Sequence, residues 1–383
     1  MNIMKNVINR AFMAKKRILF VLAAVGLFAA SSWAQVDPCA PVTDTVTVTF
    51  KLDDGSLTGN FTVNASGKKV AFSKGNLQYT RASTSVPWSS GQFSFMEHQY
   101  DVVETSNVSA DYASETAIGL FGWATSGWDN RANDVTAVNF QPYATSKSSS
   151  NTEPAKSKNP YQYGPSIDYV SANSPSSPSS YDSWFKVVDG KQPYKNYDWG
   201  VYNAISNGGN QPGIWRTLTG TEWDYIAYKR PDNILSYVNT MKARFTIATI
   251  NTDGTPINGV IIFPDNYNGP RNNTDDITWG NINSPTAYYR SLNPESPDIC
   301  TECTTSGWEA LENAGCVFLP AAGKRNETTL QDFGRFCMYH SASPYSRSGH
   351  IYVYVGNNTT YWTGSYSSRY MGMSVRLVKD VTE

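Results

Sequence analysis

The chain is poor in charge. Only 16% of its 383 residues are Asp, Glu, Lys or Arg, where a soluble domain ordinarily carries ~25%. The 31 basic and 32 acidic residues leave a formal net charge of −1. No cationic excess exists to neutralise phosphates, so no nucleic-acid partner is expected. Histidine is scarce, with His98, His340 and His350 the only three. No G-x-x-x-x-G-K-[ST] occurs, no G-x-G-x-x-G follows a strand pattern, and no G-x-S-x-G elbow is present, which removes the common phosphate-cradling and hydrolase signatures. Long hydrophobic runs are also missing. Ile18 to Ala30 is the one extended apolar stretch, and it is too short for a spanning helix.

That stretch has another use. Lys15, Lys16 and Arg17 precede it, and Ser32-Trp33-Ala34 offers small residues for cleavage before Gln35. Residues 1–34 therefore read as a secretory signal peptide. Cys39 follows Asp37-Pro38, which is not a lipoprotein acylation pattern. The mature chain is expected to be secreted, periplasmic or on the outer cell surface, with no membrane insertion after signal cleavage. It keeps five cysteines, Cys39, Cys300, Cys303, Cys316 and Cys337. An odd count leaves an unpaired thiol or an intermolecular bridge. Cys300-x-x-Cys303 resembles half of a zinc ribbon but lacks a second pair. Disulfides, or a buried Cys316 acting as a small hydrophobe, are expected instead.

What is present is aromatic surface, with 11 Trp, 24 Tyr and 16 Phe, enough to exclude a disordered chain. Thr45–Leu52 alternates Thr and Val, the period of a half-buried strand. Residues 35–60 read as an N-terminal strand and linker segment, and 61–383 as a single domain. Strand-like segments follow at Phe61–Val63, Lys69–Phe72 and Asn76–Tyr79. Residues 141–183 are rich in Ser, Pro, Asn and Lys and form a low-complexity loop insertion. Two helices begin with capping boxes, Thr219 with Glu222 and Ser306 with Glu309. The first stops before Pro231, and Gly315 ends the second. Trp223 and Trp308 are the expected core anchors of these helices. Apolar strands end in proline at Val260–Pro264 and Val317–Pro320. Short strands, two main helices and long irregular loops give an α+β class.

Several segments carry a family resemblance. Trp215 to Tyr225 (WRTLTGTEWDY) resembles the R-L-P-T-x-x-E-W-E-Y motif of formylglycine-generating-enzyme-type domains, a variant of the C-type lectin fold. Gly372 to Val378 is similar to that family's closing strand. Phe72 to Tyr79 (FSKGNLQY), Leu120-Phe121-Gly122-Trp123, Trp199-Gly200 and Phe318 to Gly323 (FLPAAG) resemble secreted proteins of Bacteroidetes-type bacteria. The resemblance covers Phe61 to the C-terminus and implies a C-type-lectin-like fold at the cell surface. The family's oxidases bind copper through two cysteines near the C-terminus. Cys337 matches the first, but Ala342 stands where the second belongs, and one thiolate does not make the paired soft site that copper favours. His340 is the only nearby substitute for the second ligand. Oxidase chemistry is therefore not expected, and no cofactor is assigned. Calcium is the one alternative, at Asp275-Asp276 with Asn272 and Asn273, against an ordinary solvated acidic loop. Glu222 and Glu309 read as capping residues rather than acid/base groups.

The window 334–373 is the most informative. It holds seven Tyr and seven Ser but no Asp, Glu or Lys. Within it, His350 to Val355 alternates strictly, placing Ile351, Val353 and Val355 toward a core and His350, Tyr352 and Tyr354 outward. Tyr supplies rigid amphipathic contact area, and Ser, Asn and Gly supply adaptable hydrogen bonds. The candidate ligand-binding residues are Tyr339, His340, Tyr345, His350, Tyr352, Tyr354, Asn357, Tyr361, Trp362, Tyr366 and Tyr370. The opposing expectation is that these aromatics simply pack under neighbouring loops. The composition is also what an Asn codon ending in a pyrimidine yields when its adenines are randomised. It is similar in this respect to the variable proteins of diversity-generating retroelements, which leaves Met338, Trp362, Met371 and Met373 as fixed scaffold positions. The expected function is a non-enzymatic binding module for a macromolecular ligand, protein or glycan. An enzyme of the formylglycine-generating, sulfatase-modifying type and a structural or adhesin subunit are the alternatives.

Overall fold

A computed structural model describes residues 54–86, 90–107, 114–123, 198–284, 300–326, 328–344, 349–356, 359–368 and 371–382. The signal segment, the Thr45–Leu52 strand pattern and the 141–183 insertion lie outside the described residues. The described chain is α+β, with short strands and few helices. The helices are α1 (Trp199–Tyr202), α2 (Gly220–Asp224), which continues into a π-helical turn Tyr225–Lys229, and α3 (Thr305–Asn313).

A four-stranded antiparallel sheet runs in the order Ser56–Thr62, Lys69–Ser73, Leu377–Asp380, Arg216–Thr217. Its first strand begins at Ser56, before the Phe61 start read from the sequence. A five-stranded sheet runs in the order Ile277–Thr278, Thr301–Thr304, Phe245–Thr252, Thr255–Ile262, Val317–Pro320. The strand Phe245–Thr252 was not expected from the sequence. Asp253-Gly254 joins it to the next strand with φ of 46° and 85°, and this Asp-Gly pair between strands is the hairpin signal that marks it.

Alternation splits the five-stranded sheet between two cores. Phe245, Ile247, Val260 and Ile262 face a cluster with Phe61, Phe72, Trp223, Tyr339, Val353 and Val355. Ala248, Ile250, Ile261 and Phe318 face another with Trp308 and Leu311 of α3. Burial on both faces is why the run Val260 to Phe263 is apolar without a break. Trp223 and Trp308 are buried, as anchors of α2 and α3 should be.

The first capping box is present: Glu222 N–H donates to Thr219 Oγ1 (3.2 Å) and Thr219 N–H to Glu222 Oε2 (2.8 Å). Glu222 also receives both Nη groups of Arg216 at 2.7 Å, and Arg216 Nε donates to Asp380. The Trp215–Tyr225 motif is thus a clamp joining a strand, a helix start and the closing strand. The second box needs correction. Thr304, not Ser306, caps α3, accepting from Gly307 N–H at 3.1 Å. Thr304 is the last extended residue of its strand, so the helix starts earlier and Ser306 falls inside its first turn. Gly315, at φ 86°, stands just past the end of α3, where a left-handed terminator is expected.

Cys300, Cys303, Cys316 and Cys337 are all buried, and no disulfide joins these four. Burial pushes the Cys303 thiol up to about 12 and raises Cys316 as well. Cys316 packs as the expected small hydrophobe. Cys39 lies outside the described residues.

Candidate binding surface on the C-terminal sheet

The window 334–373 folds into a three-stranded antiparallel sheet, Phe336–Pro344, Gly349–Gly356 and Thr359–Ser368. Cys337 lies opposite Val355 and Tyr339 opposite Val353. All four are buried in the main core beneath α2, so the core-facing half of the 350–355 alternation holds at Val353 and Val355. On the other face Met338 lies opposite Tyr354, and His340 opposite Tyr352.

Two candidate contact residues are interior. Tyr339 and His340 are both 0% exposed, so neither reaches a ligand from its strand position. The first strand is sandwiched. The core lies under one face, Trp199 and Phe121 lie against His340 and Met373 against Met338 on the other, and Ser374 pairs with the strand's edge through His340 N–H to Ser374 O (3.0 Å). The Tyr339 hydroxyl accepts from Asn76 Nδ2 (3.0 Å) and donates to Pro320 O (3.2 Å), with its pKa raised by burial. His340 stacks on Trp199, with ring centroids 5.6 Å apart, and its Nε2 lies 2.6 Å from Phe121 O. Burial lowers its pKa to about 4, so it is neutral at pH 7.

The outward-facing part is a stack. The Arg335 guanidinium lies over Phe336 at 5.6 Å, and Phe336 stacks on Tyr354 with centroids 4.7 Å apart and planes 24° from parallel. Phe336, Tyr354 and Met371 are half-buried around fully buried Met338 and Met373. Arg335 and Phe336 were not among the sequence candidates. The alternation Phe336, Met338, His340 against Cys337, Tyr339 carried the necessary signal. Tyr361 pairs with Tyr354 and Tyr366 with Ile351, and a register shift falls between Tyr352 and Tyr354. Tyr352, His350, Tyr361, Trp362 and Tyr366 are placed by backbone alone. Tyr345, Asn357 and Tyr370 lie outside the described residues.

A buried polar network supports this sheet from behind. Gln99 Oε1 accepts from Phe318 N–H (2.9 Å) and from Arg376 Nη2, while its Nε2 donates to Glu312 (2.8 Å) and to Cys316 O (3.2 Å). Arg376, fully buried, also reaches Asn76 Oδ1 at 3.4 Å. Desolvation lowers its pKa to about 10, so it remains charged. Gln99 leaves no signal in the sequence, because a lone glutamine belongs to no repeat or motif.

Cys337 and His340 do not make a shared metal site. They project to opposite faces of one strand, Cys337 toward Leu319 O (3.1 Å) and His340 toward Phe121 O. In the 272–276 loop, Asn273 Oδ1 accepts from Trp279 N–H (2.8 Å) and Asp276 Oδ1 from Thr304 Oγ1 (2.7 Å), so these oxygens hold the loop itself together. Among the described residues no group of three His, Cys, Asp or Glu side chains is placed to hold a metal ion, and no helix is long and apolar enough to cross a membrane.

No protein-family model matches the chain, and no curated protein or solved structure is similar to it.

Proposed function

We propose that the chain is an exported, non-enzymatic binding protein with a C-type-lectin-like fold of the formylglycine-generating-enzyme type. It offers the outer face of its C-terminal sheet to a macromolecular ligand. The observation that carries this reading is the Arg335–Phe336–Tyr354 stack over a methionine floor, set in a window without Asp, Glu or Lys. Tyr, Phe, Met and Arg are the residues enriched at protein interfaces, and Lys, Glu and Asp are depleted there. Burial of Met338 and Met373 supports their assignment as scaffold in a retroelement-diversified receptor or adhesin.

The test is a comparison of binding with stability. Wild-type protein is screened on peptide and glycan arrays, and Tyr352→Ala, Tyr354→Ala and Tyr361→Ala are measured on the ligand found. A central aromatic contact carries ~2 kcal/mol or more, a roughly thirtyfold loss in affinity. The expected result is that loss with the melting temperature nearly unchanged. If the variants lose stability first and binding only through unfolding, the tyrosines serve packing and the reading fails.

A further inference from the structure

Arg376 is a buried charge with no carboxylate in contact. It is 0% exposed, and its guanidinium bonds among the described residues only to two amide oxygens, Gln99 Oε1 and Asn76 Oδ1, with its Nε unpaired. A guanidinium held only by neutral groups is costly to keep charged. Burial lowers its pKa to about 10, against the opposing pull of Tyr339 and Glu312. Tyr339 is uncharged at pH 7, because burial raises its pKa. Glu312 is therefore the negative charge that bears on Arg376.

The two charges meet through one side chain. Gln99 is 0% exposed. Its oxygen accepts from Arg376 Nη2 and Phe318 N–H, and its nitrogen donates to Glu312 Oε1 (2.8 Å) and Cys316 O (3.2 Å). Two donors at the oxygen and two acceptors at the nitrogen fix which way the amide points. The oxygen faces the cation and the N–H faces the anion, so each charge strengthens the bond at the other end. Other sheet edges are closed without this. Asp265 and Ser374 bond to Thr62 N–H and His340 N–H. Asn207 accepts from Phe95 N–H (2.7 Å) and donates to its carbonyl (2.9 Å). Of the two amides, only Gln99 has an ion at each end.

The place of Glu312 makes the same point from the other side. It stands in the last turn of α3, where the helix dipole disfavours a carboxylate, and no basic residue shares that turn. It also surrounds Tyr100 together with Asp101, Glu309 and Asp253, whose charges repel it. A carboxylate so placed needs a compensating cation.

We infer that Glu312 is the counter-ion of Arg376, that Gln99 transmits its charge, and that this tether fixes residues 372–376 beside the C-terminal sheet. Gly372 pairs with Arg325, Met373 with Phe121, and Ser374 with Met338 and His340. Removing a half-buried charge on α3 thus loosens a segment that carries part of the methionine floor. The inference holds whether or not the sheet binds a ligand.

The test uses the full mature chain. Glu312→Gln keeps a hydrogen-bond acceptor and removes the charge. Glu309→Gln makes the same change of net charge at an exposed site on the same helix. Urea unfolding gives the folding equilibrium constant, hydrogen exchange reads the Gly372, Met373 and Ser374 amides, and NMR reads the Gln99 side-chain amide protons. The expected result for Glu312→Gln is at least a fivefold loss in the folding constant, exchange at those three amides faster by at least as much, and an upfield move of the Gln99 amide protons. Glu309→Gln is expected to change both constants less than twofold and to leave the Gln99 resonances in place. In a Gln99→Leu background, Glu312→Gln is expected to cost less than twofold, because the transmitter is gone. Equal effects of the two Glu variants would make Glu312 an ordinary surface carboxylate and overturn the inference. A fivefold loss that persists beside Gln99→Leu would mean that the charge acts through space, which overturns it as well. If Gln99→Leu does not fold, the Gln99 resonances decide, and protons unmoved by Glu312→Gln show that the amide transmits nothing.

Discussion

At the residue scale, His340 shows how burial reassigns a side chain. An outward histidine on a tyrosine-rich strand suggests a contact. A histidine stacked on Trp199 and bonded to a backbone carbonyl is a neutral core residue. Its folded pKa, about 4, lies below the ordinary value of ~6.5. The unfolded chain therefore takes up this proton first as pH falls. His340 costs nothing above pH ~6.5 and destabilises progressively down to about 4, by ~3 kcal/mol over that interval. Urea unfolding from pH 7 to pH 4 should show a flatter pH dependence for His340→Gln than for wild type. An unchanged slope would mean that His340 is protonated and solvated in the native state. Gln99 is the second case. Gln99→Leu removes four hydrogen bonds and leaves the Arg376 guanidinium with Asn76 as its remaining partner. Stranding a buried charge costs about 3–5 kcal/mol. Denaturant midpoints should fall accordingly, and a loss under about 1 kcal/mol would show that water replaces the network.

At the element scale, α2 depends on both ends of the Trp215–Tyr225 motif. Thr219 and Glu222 satisfy amide donors at its start, Arg216 ties the same carboxylate to the closing strand, and Trp223 enters the core beside Phe72 at 5.6 Å. Thr219→Ala should cost ~1 kcal/mol as a lost cap. Trp223→Ala and Trp308→Ala should each cost ~3–5 kcal/mol as core truncations. Thermal unfolding checks all three. Two tryptophan variants with wild-type melting temperatures would mean that neither helix belongs to the core. The cap of α3 is chosen by local backbone conformation. Thr304 and Ser306 are both capping residues by type, and only the extended backbone at the end of a strand selects Thr304.

At the scale of the whole molecule, strands, helix starts and core tryptophans were legible because period-two alternation, capping chemistry and large aromatics are local or nearly local signals. The sequence alone determined the α+β class, the α2 capping box, the burial of Trp223, Trp308, Val353 and Val355, and the absence of acid and lysine from the C-terminal window. Only tertiary structure decided which face of a patterned strand stays open. Phe336–Pro344 alternates as its neighbour does, with Tyr339 on the core face, yet Trp199 and Phe121, distant in sequence, cover its second face at His340, so both are interior while Phe336 and Tyr354 remain half-buried. It also decided that Gln99, Asn207, Asp265 and Ser374 close sheet edges. These four act through single side chains or short backbone bridges across long sequence separations. No periodicity records such a contact, because one residue meeting one backbone group leaves no repeat to read.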